Sequence, residues 1–306
     1  MTLAPSPSEV GAIRLATAWT KLDHAATFVV EGEGAFDAVD ALVSSDLFLS
    51  DAALRPALVL DDAGQIVADA IVGRLDDRYL LQLEGPSRAD AHALVESVAA
   101  SHGARVVALD ATHVALGLLG PYAWELLGEW LGPDLVGMPY LSAFQLGETL
   151  VLRAGKTGEF GYDVLLPRDT AEDAIAKLLR IGVELDLASV GLDALDLCAL
   201  ENGFFCVRRE GALVTDLAEL QLRWRVGRDK SFRGSAAVRS RAASGPVTHR
   251  VTWLRSAASL DVGDVVALEN EPIGTVVAAG KTVLREGFVG LARIAQPWAS
   301  AGIGAF

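Results

Sequence analysis

Residues 155–167 read GKTGEFGYDVLLP: three glycines set around Thr157 and Glu159, then Tyr162 and Asp163 opening an apolar run. Glycine reaches positive φ without steric cost, and a backbone lacking side chains comes close to a flat ligand. Beside such a turn, built from Thr157 and Gly158, Tyr162 could stack on that ligand or donate a hydrogen bond to it. An ordinary hairpin with a buried tyrosine fits the same letters, and the stretch alone leaves both open. WRVGRDKSFRG, residues 224–234, gathers Arg225, Arg228 and Lys230. These could hold a ligand's carboxylates or form a solvated basic turn. Glu201 ends an apolar segment, and His24 stands just before a strand, where a lone histidine is more often structural than chemical.

Apolar patterning supplies the elements that would position these groups. Strands are predicted at 25–30, 57–60, 66–72, 79–83, 105–109 and 113–119. Helices are predicted over 34–44 and 87–101, with a hairpin turn at the Asp-Ala-Gly of LDDAGQIV. GPYAWELLGEWL reads as a helix opening on Gly-Pro, followed by a strand at 163–166. Thr170 as N-cap and Gly182 as terminator bracket another helix, and 191–201 ends a further one at Asn202-Gly203. RSRAASGP, residues 239–246, reads as a linker into short strands and glycine turns, a small all-β unit.

The 306 residues, half of them apolar and 22% charged, are enough for a real core and two or three domains. The formal charge of −14 argues against nucleic-acid and membrane partners, since both present anionic surfaces. MTLAPSPSEVGA has neither the basic nor the apolar region of a secretory signal, so a cytoplasmic location is expected. Cys198 and Cys206 form no Cys-x-x-Cys pair and the five histidines are scattered, so neither a disulfide framework nor a metal site is expected.

Five segments, in order, resemble the tetrahydrofolate-dependent aminomethyltransferase (glycine cleavage T-protein) family. Lys156-Thr157-Gly158-Glu159-Phe160-Gly161-Tyr162-Asp163 is similar to its Tyr-Thr-Gly-Glu-x-Gly-Tyr-Glu motif. Ala199-Leu200-Glu201-Asn202-Gly203 is similar to Arg-Leu-Glu-Ala-Gly, Lys21-Leu22-Asp23-His24 to Asp-x-Ser-His, and Leu119-Gly120-Pro121-Tyr122-Ala123 to Gln-Gly-Pro-x-Ala. The fifth is the late segment IGTVVAAGKTVLREGFVGLARI, residues 273–294, whereas Gly64-Gln65-Ile66-Val67-Ala68-Asp69-Ala70-Ile71-Val72 departs from the family's Gly-Gly-x-Ile-Asp-Asp-Leu-Ile-Val.

The resemblance implies an α+β fold of three lobes around a central channel. The first lobe is expected from 1–28 with 110–235, the second from 29–109, and a small, truncated, β-barrel-like domain from 236–306. It implies tetrahydrofolate as the cofactor, with Glu201 gripping the amine and ring N–H of the pterin and Arg228 holding the tail. Arg225 or Lys230 are alternatives for the tail. His24, Tyr162 and Tyr122 are the candidate catalytic acids. The family's catalytic aspartate aligns with Ala68, and strand alternation sends Asp69 to the opposite face, away from the expected channel. Val207-Arg208-Arg209-Glu210 also departs from the family's Tyr-Gly-x-Glu. The motif of the related iron–sulfur-cluster branch is not reproduced either.

Two functions are therefore expected. The first is methyl or other one-carbon transfer between a small-molecule donor and tetrahydrofolate, as in demethylation, in place of glycine cleavage. The second is a non-catalytic folate-binding or scaffold subunit, with a partner subunit completing a larger oxidase or demethylase.

Overall fold

The computed structural model describes residues 2–300 and 302. Helix α1 (Pro7–Leu15) opens with a capping box. The Ser6 hydroxyl accepts from the Glu9 N–H, the Glu9 carboxylate accepts from the Ser6 N–H, and Pro7 takes the first turn. Strand β1 (Thr17–Lys21) follows.

The chain next builds β2 (Ala25–Glu31), α2 (Ala35–Leu42), β3 (Leu54–Leu60), β4 (Ile66–Leu75), β5 (Arg78–Glu84), α3 (Arg88–Ser101) and β6 (Arg105–Ala108). These strands form an antiparallel sheet in the order β3-β4-β5-β2-β6. It then returns to pair with β1 through β7 (His113–Leu119), with α4 (Ala123–Leu131), β8 (Ser142–Leu146), β9 (Thr149–Arg153), β10 (Gly161–Pro167), α5 (Ala171–Ile181) and β11 (Leu187–Ser189) completing the unit. The order of this sheet is β11-β1-β7-β10-β9-β8. After α6 (Leu192–Glu201) and an irregular stretch come α7 (Ser235–Ala243) and β12 (His249–Ser256), β13 (Val265–Leu268), β14 (Glu271–Lys281) and β15 (Phe288–Ala295). These last strands form a third, antiparallel sheet, β12-β15-β14-β13.

The predicted strands from 25 to 119 correspond to β2–β7, because alternating or continuous apolar runs of that length suit half- or fully buried strands. The linker expected at 239–246 is instead half helix, since α7 runs through Ala243 on an alanine-rich segment of high helix propensity. β2 spans the boundary expected between residues 28 and 29. Residues 301 and 303–306 of the expected C-terminal unit lie outside the described residues.

The two larger sheets lie face to face. Val29, Leu54, Ile71 and Leu80 of one meet Ala143, Leu150, Leu152 and Leu165 of the other. Helices cover the outer faces. α2 and α3 pack on Ala26, Phe28, Ala68, Ala70 and Val72, while α4 and α5 pack on Leu116, Val151, Tyr162 and Val164. This layering decides which side chains see the inter-sheet space. Odd-numbered residues of β4 and even-numbered residues near the end of β5 face it, and toward one end they turn from apolar to polar.

Candidate functional site

At that polar end β4 contributes Asp69, β5 contributes Gln82 and Glu84, and β10 contributes Asp163. The β9–β10 connection, residues 154–160, lays Lys156 and Thr157 across them. Two spaces result. A cavity of about 800 Å³ is lined by Asp69, Tyr140, Lys156, Phe204, Arg225 and Trp253, among others, and so reaches the first and third sheets and the β9–β10 connection of the second. A narrow cleft of about 70 Å³ continues behind Lys156 to His24, Gln82, Glu84, Asp163, Asp196 and Arg208. Ile71, Ala154, Lys156 and Phe205 line both.

Charged groups alternate along the wall. Arg225 donates to Asp69 Oδ1 at 2.6 Å, and Lys156 Nζ donates to Asp69 Oδ2 at 2.8 Å and Glu84 Oε1 at 3.1 Å. Arg208 lies 3.8 Å from Glu84 and forms a two-pronged pair with Asp196, both bonds 3.0 Å. Asp69 is 1% exposed and Arg225 6%, so this pair is held out of water.

The environment tunes the titrating groups. Burial pulls Lys156 toward neutrality, but Asp69 and Glu84 outweigh it and its pKa is raised. Burial pushes Glu84 up, yet Lys156, His24 and Arg208 prevail and bring it to about 2. Burial lifts Asp163 to about 6, against a hydrogen bond of 3.1 Å from Gln82 that favours the carboxylate. Burial lowers His24, with Glu84 at 4.0 Å opposing it. The wall therefore offers fixed charges of both signs and a carboxyl that is protonated near pH 6 or below.

Several sequence expectations are corrected. Ala68 packs against α2 and α3, and the residue of that pair facing the cavity is Asp69, because the helices cover the even-numbered face of β4. Tyr162 has no access to the cavity. It sits in the core beneath α4 with its hydroxyl buried and unpartnered, the ordinary buried tyrosine of the hairpin. Tyr122 caps α4 from the outside, 46% exposed, away from both spaces. Glu201 lines neither space, because Arg14 of α1 holds it at 2.7 Å.

Arg228 faces a separate outer groove with Arg223, Arg239 and Arg241. Lys230 is buried on Asp40 of α2 at 2.7 Å. Of the three cations, Arg225 is the one lining the cavity. Gly158 stands at φ +88°, where a Cβ would come within 2.6 Å of Asn202. It thus serves the turn, while Thr157 and His24 do line the cleft.

Sequence reasoning missed Asp163, Glu84 and Arg208 as site residues, and marked Lys156 only as a change at the channel entrance. Two signals were available: Lys156 replaces a motif tyrosine, and the polar residues Asp69, Gln82, Glu84 and Asp163 all interrupt apolar strands. Among the described residues no helix is long and apolar enough to cross a membrane.

Comparison with known proteins agrees with this architecture. The aminomethyltransferase of Thermotoga petrophila is 28% identical over 239 residues, covering 75% of this chain and 65% of its own length. That of Chlorobium phaeovibrioides is 30% identical over 241 residues, covering 76% and 66%. The chain thus spans about two thirds of the length of these curated relatives. The crystal structure of glycine cleavage system aminomethyltransferase T from Bartonella henselae superposes with a TM-score of 0.87 at 24% identity, over 98% of this chain and 84% of that one, and shows the shared fold. The GCVT N-terminal domain model matches residues 4–230, and on that match the chain belongs to the aminomethyltransferase (glycine cleavage T-protein) family.

Proposed function

We propose that this chain binds a reduced folate in the space between its three sheets and does not carry out the aminomethyl transfer of glycine cleavage. The observation that carries this reading is Asp69 held between Lys156 and Arg225. A carboxylate beside a reacting folate nitrogen contributes by taking a proton or by offering charge to a cationic one-carbon intermediate. With one oxygen on an ammonium and the other on a guanidinium, both carboxylate oxygens of Asp69 are engaged and its field is largely cancelled.

The residues present suit tetrahydrofolate. About 800 Å³ lies within the usual range for small-molecule sites, roughly 300–1,000 Å³. Asp163, Gln82 and Glu84 would receive the donor-rich pterin edge in place of Glu201, with the unpartnered Thr157 hydroxyl nearby. Phe204, Phe205, Trp224 and Trp253 would flank the aromatic middle. When bound, the folate supplies the nitrogen that carries the one-carbon unit.

One observation favours a second, catalytic reading. His24 stays in the cleft next to Glu84, a titratable group for methyl transfer from a small nitrogen, oxygen or sulfur donor. Calorimetry with tetrahydrofolate and a glycine-cleavage assay with the lipoyl carrier protein test the proposal together. Saturable binding is expected, with turnover lower by on the order of 10²-fold or more than in related enzymes. Turnover at the related enzymes' rate, or no binding, overturns it. Formation of 5-methyl-tetrahydrofolate from candidate donors distinguishes a methyltransferase from a binding subunit.

A further inference from the structure

Lys156 stands where the large cavity meets the cleft and lines both. An ammonium carries three N–H donors. Two are taken, by Asp69 at 2.8 Å and Glu84 at 3.1 Å, and among the described residues no protein acceptor meets the third. The side chain is 23% exposed and lines both spaces. Its two carboxylate partners keep the group charged. Arg225 adds a second cation on the far side of Asp69, and Arg208 a third beyond Glu84.

This arrangement separates the oxidation states of a folate-borne carbon by elementary electrostatics. A cationic iminium or methenyl carbon offers that N–H no acceptor. A methyl group offers the free N–H nothing. A formyl group offers a carbonyl oxygen, and a hydrogen bond from a charged donor is about twice as strong as a neutral one. We infer that Lys156 makes a formyl-substituted reduced folate the preferred ligand of this cavity, its third N–H donating to the formyl oxygen. The inference rests on the folate reading above and names the ligand class within it.

The test is titration calorimetry of the wild-type chain with 5-formyl-, 10-formyl- and 5-methyl-tetrahydrofolate, repeated on Lys156→Met. One formyl isomer is expected to bind the wild type about 10- to 100-fold more tightly than the methyl compound, the range for a hydrogen bond to a charged group. The isomer that does so identifies the nitrogen beside Lys156. In Lys156→Met that preference is expected to fall to near unity while methyl-folate binding persists.

Should Lys156→Met fail to fold, infrared difference spectroscopy of a ¹³C-formyl ligand on the wild type gives the same answer. A carbonyl stretch lowered on binding supports the bond, and an unshifted stretch overturns it. Equal affinity for formyl and methyl ligands overturns the inference alone, since the ammonium would then answer the pterin's own carbonyl. Binding of none of the three removes the folate reading and the inference with it.

Discussion

Lys156 Nζ lies 2.8 Å from Asp69 Oδ2, so the β9–β10 connection of one sheet is bolted to β4 of the other by a single ion pair at the edge of the cavity. The partner oxygen is taken by Arg225 at 2.6 Å. Three separate segments thus converge on one carboxylate. Asp69→Asn leaves Arg225 without its counter-charge and Lys156 with Glu84 alone, at a site where the acid is 1% exposed. Loss of about 3 kcal/mol of unfolding free energy is expected, measured by urea denaturation. Because the cost is that of orphaned charge, the double variant with Lys156→Met should recover part of it; strictly additive losses would contradict the coupling.

Asp163 gives the protein a pH dependence of unusual sign. Its folded pKa of about 6 lies above the ordinary 3.8. The native state therefore binds more protons than the unfolded chain between those values. Its contribution is full below about pH 4 and is lost as pH rises through 6, a difference of at most about 3 kcal/mol. Glu84, held at about 2, acts oppositely, its contribution being present above its ordinary 4.5 and lost as pH falls toward 2. Stability of the wild type minus that of Asp163→Asn should decline from pH 4 to pH 6; a flat difference curve would count against a buried Asp163.

Tyr162→Phe separates the two readings of the glycine-rich hairpin. The hydroxyl is buried with no hydrogen-bond partner, so its removal should leave stability unchanged or raise it by up to about 1 kcal/mol. Folate affinity should not change. A drop of tenfold or more in either affinity or turnover would restore Tyr162 to the site.

Gly158→Ala should destabilise by about 1–3 kcal/mol, since φ +88° is unfavourable for any L side chain and the new methyl collides with Asn202. Asn202 donates to the Thr157 carbonyl at 2.8 Å, so the same change should loosen the turn that carries Thr157 and Lys156 into the site. Thermal unfolding reads the first effect and folate titration the second.

How far the site was legible is clearest on β4. Period-two alternation establishes from sequence that Ala68 and Asp69 point to opposite faces. It cannot say which face meets the cavity, because both Ile66-Ala68-Ala70-Val72 and Val67-Asp69-Ile71 are apolar enough to be buried. The docking of α2 and α3 on the even-numbered residues decides that, and leaves Asp69 to the inter-sheet space. The capping box of α1 was equally present in Ser6-Pro7-Ser8-Glu9, yet nothing local announces that Arg14 at the other end of that helix reaches Glu201, 187 positions away.

The sequence by itself determined the family, the α+β class and the strands and helices around the site, since those follow from local periodicity, turn residues and ordered motifs. Tertiary structure alone decided which carboxylate and which cation meet in the cavity. Ion pairs are made between segments distant along the chain, and a side chain's charge carries no record of the partner that the packing of sheets and helices will bring to it.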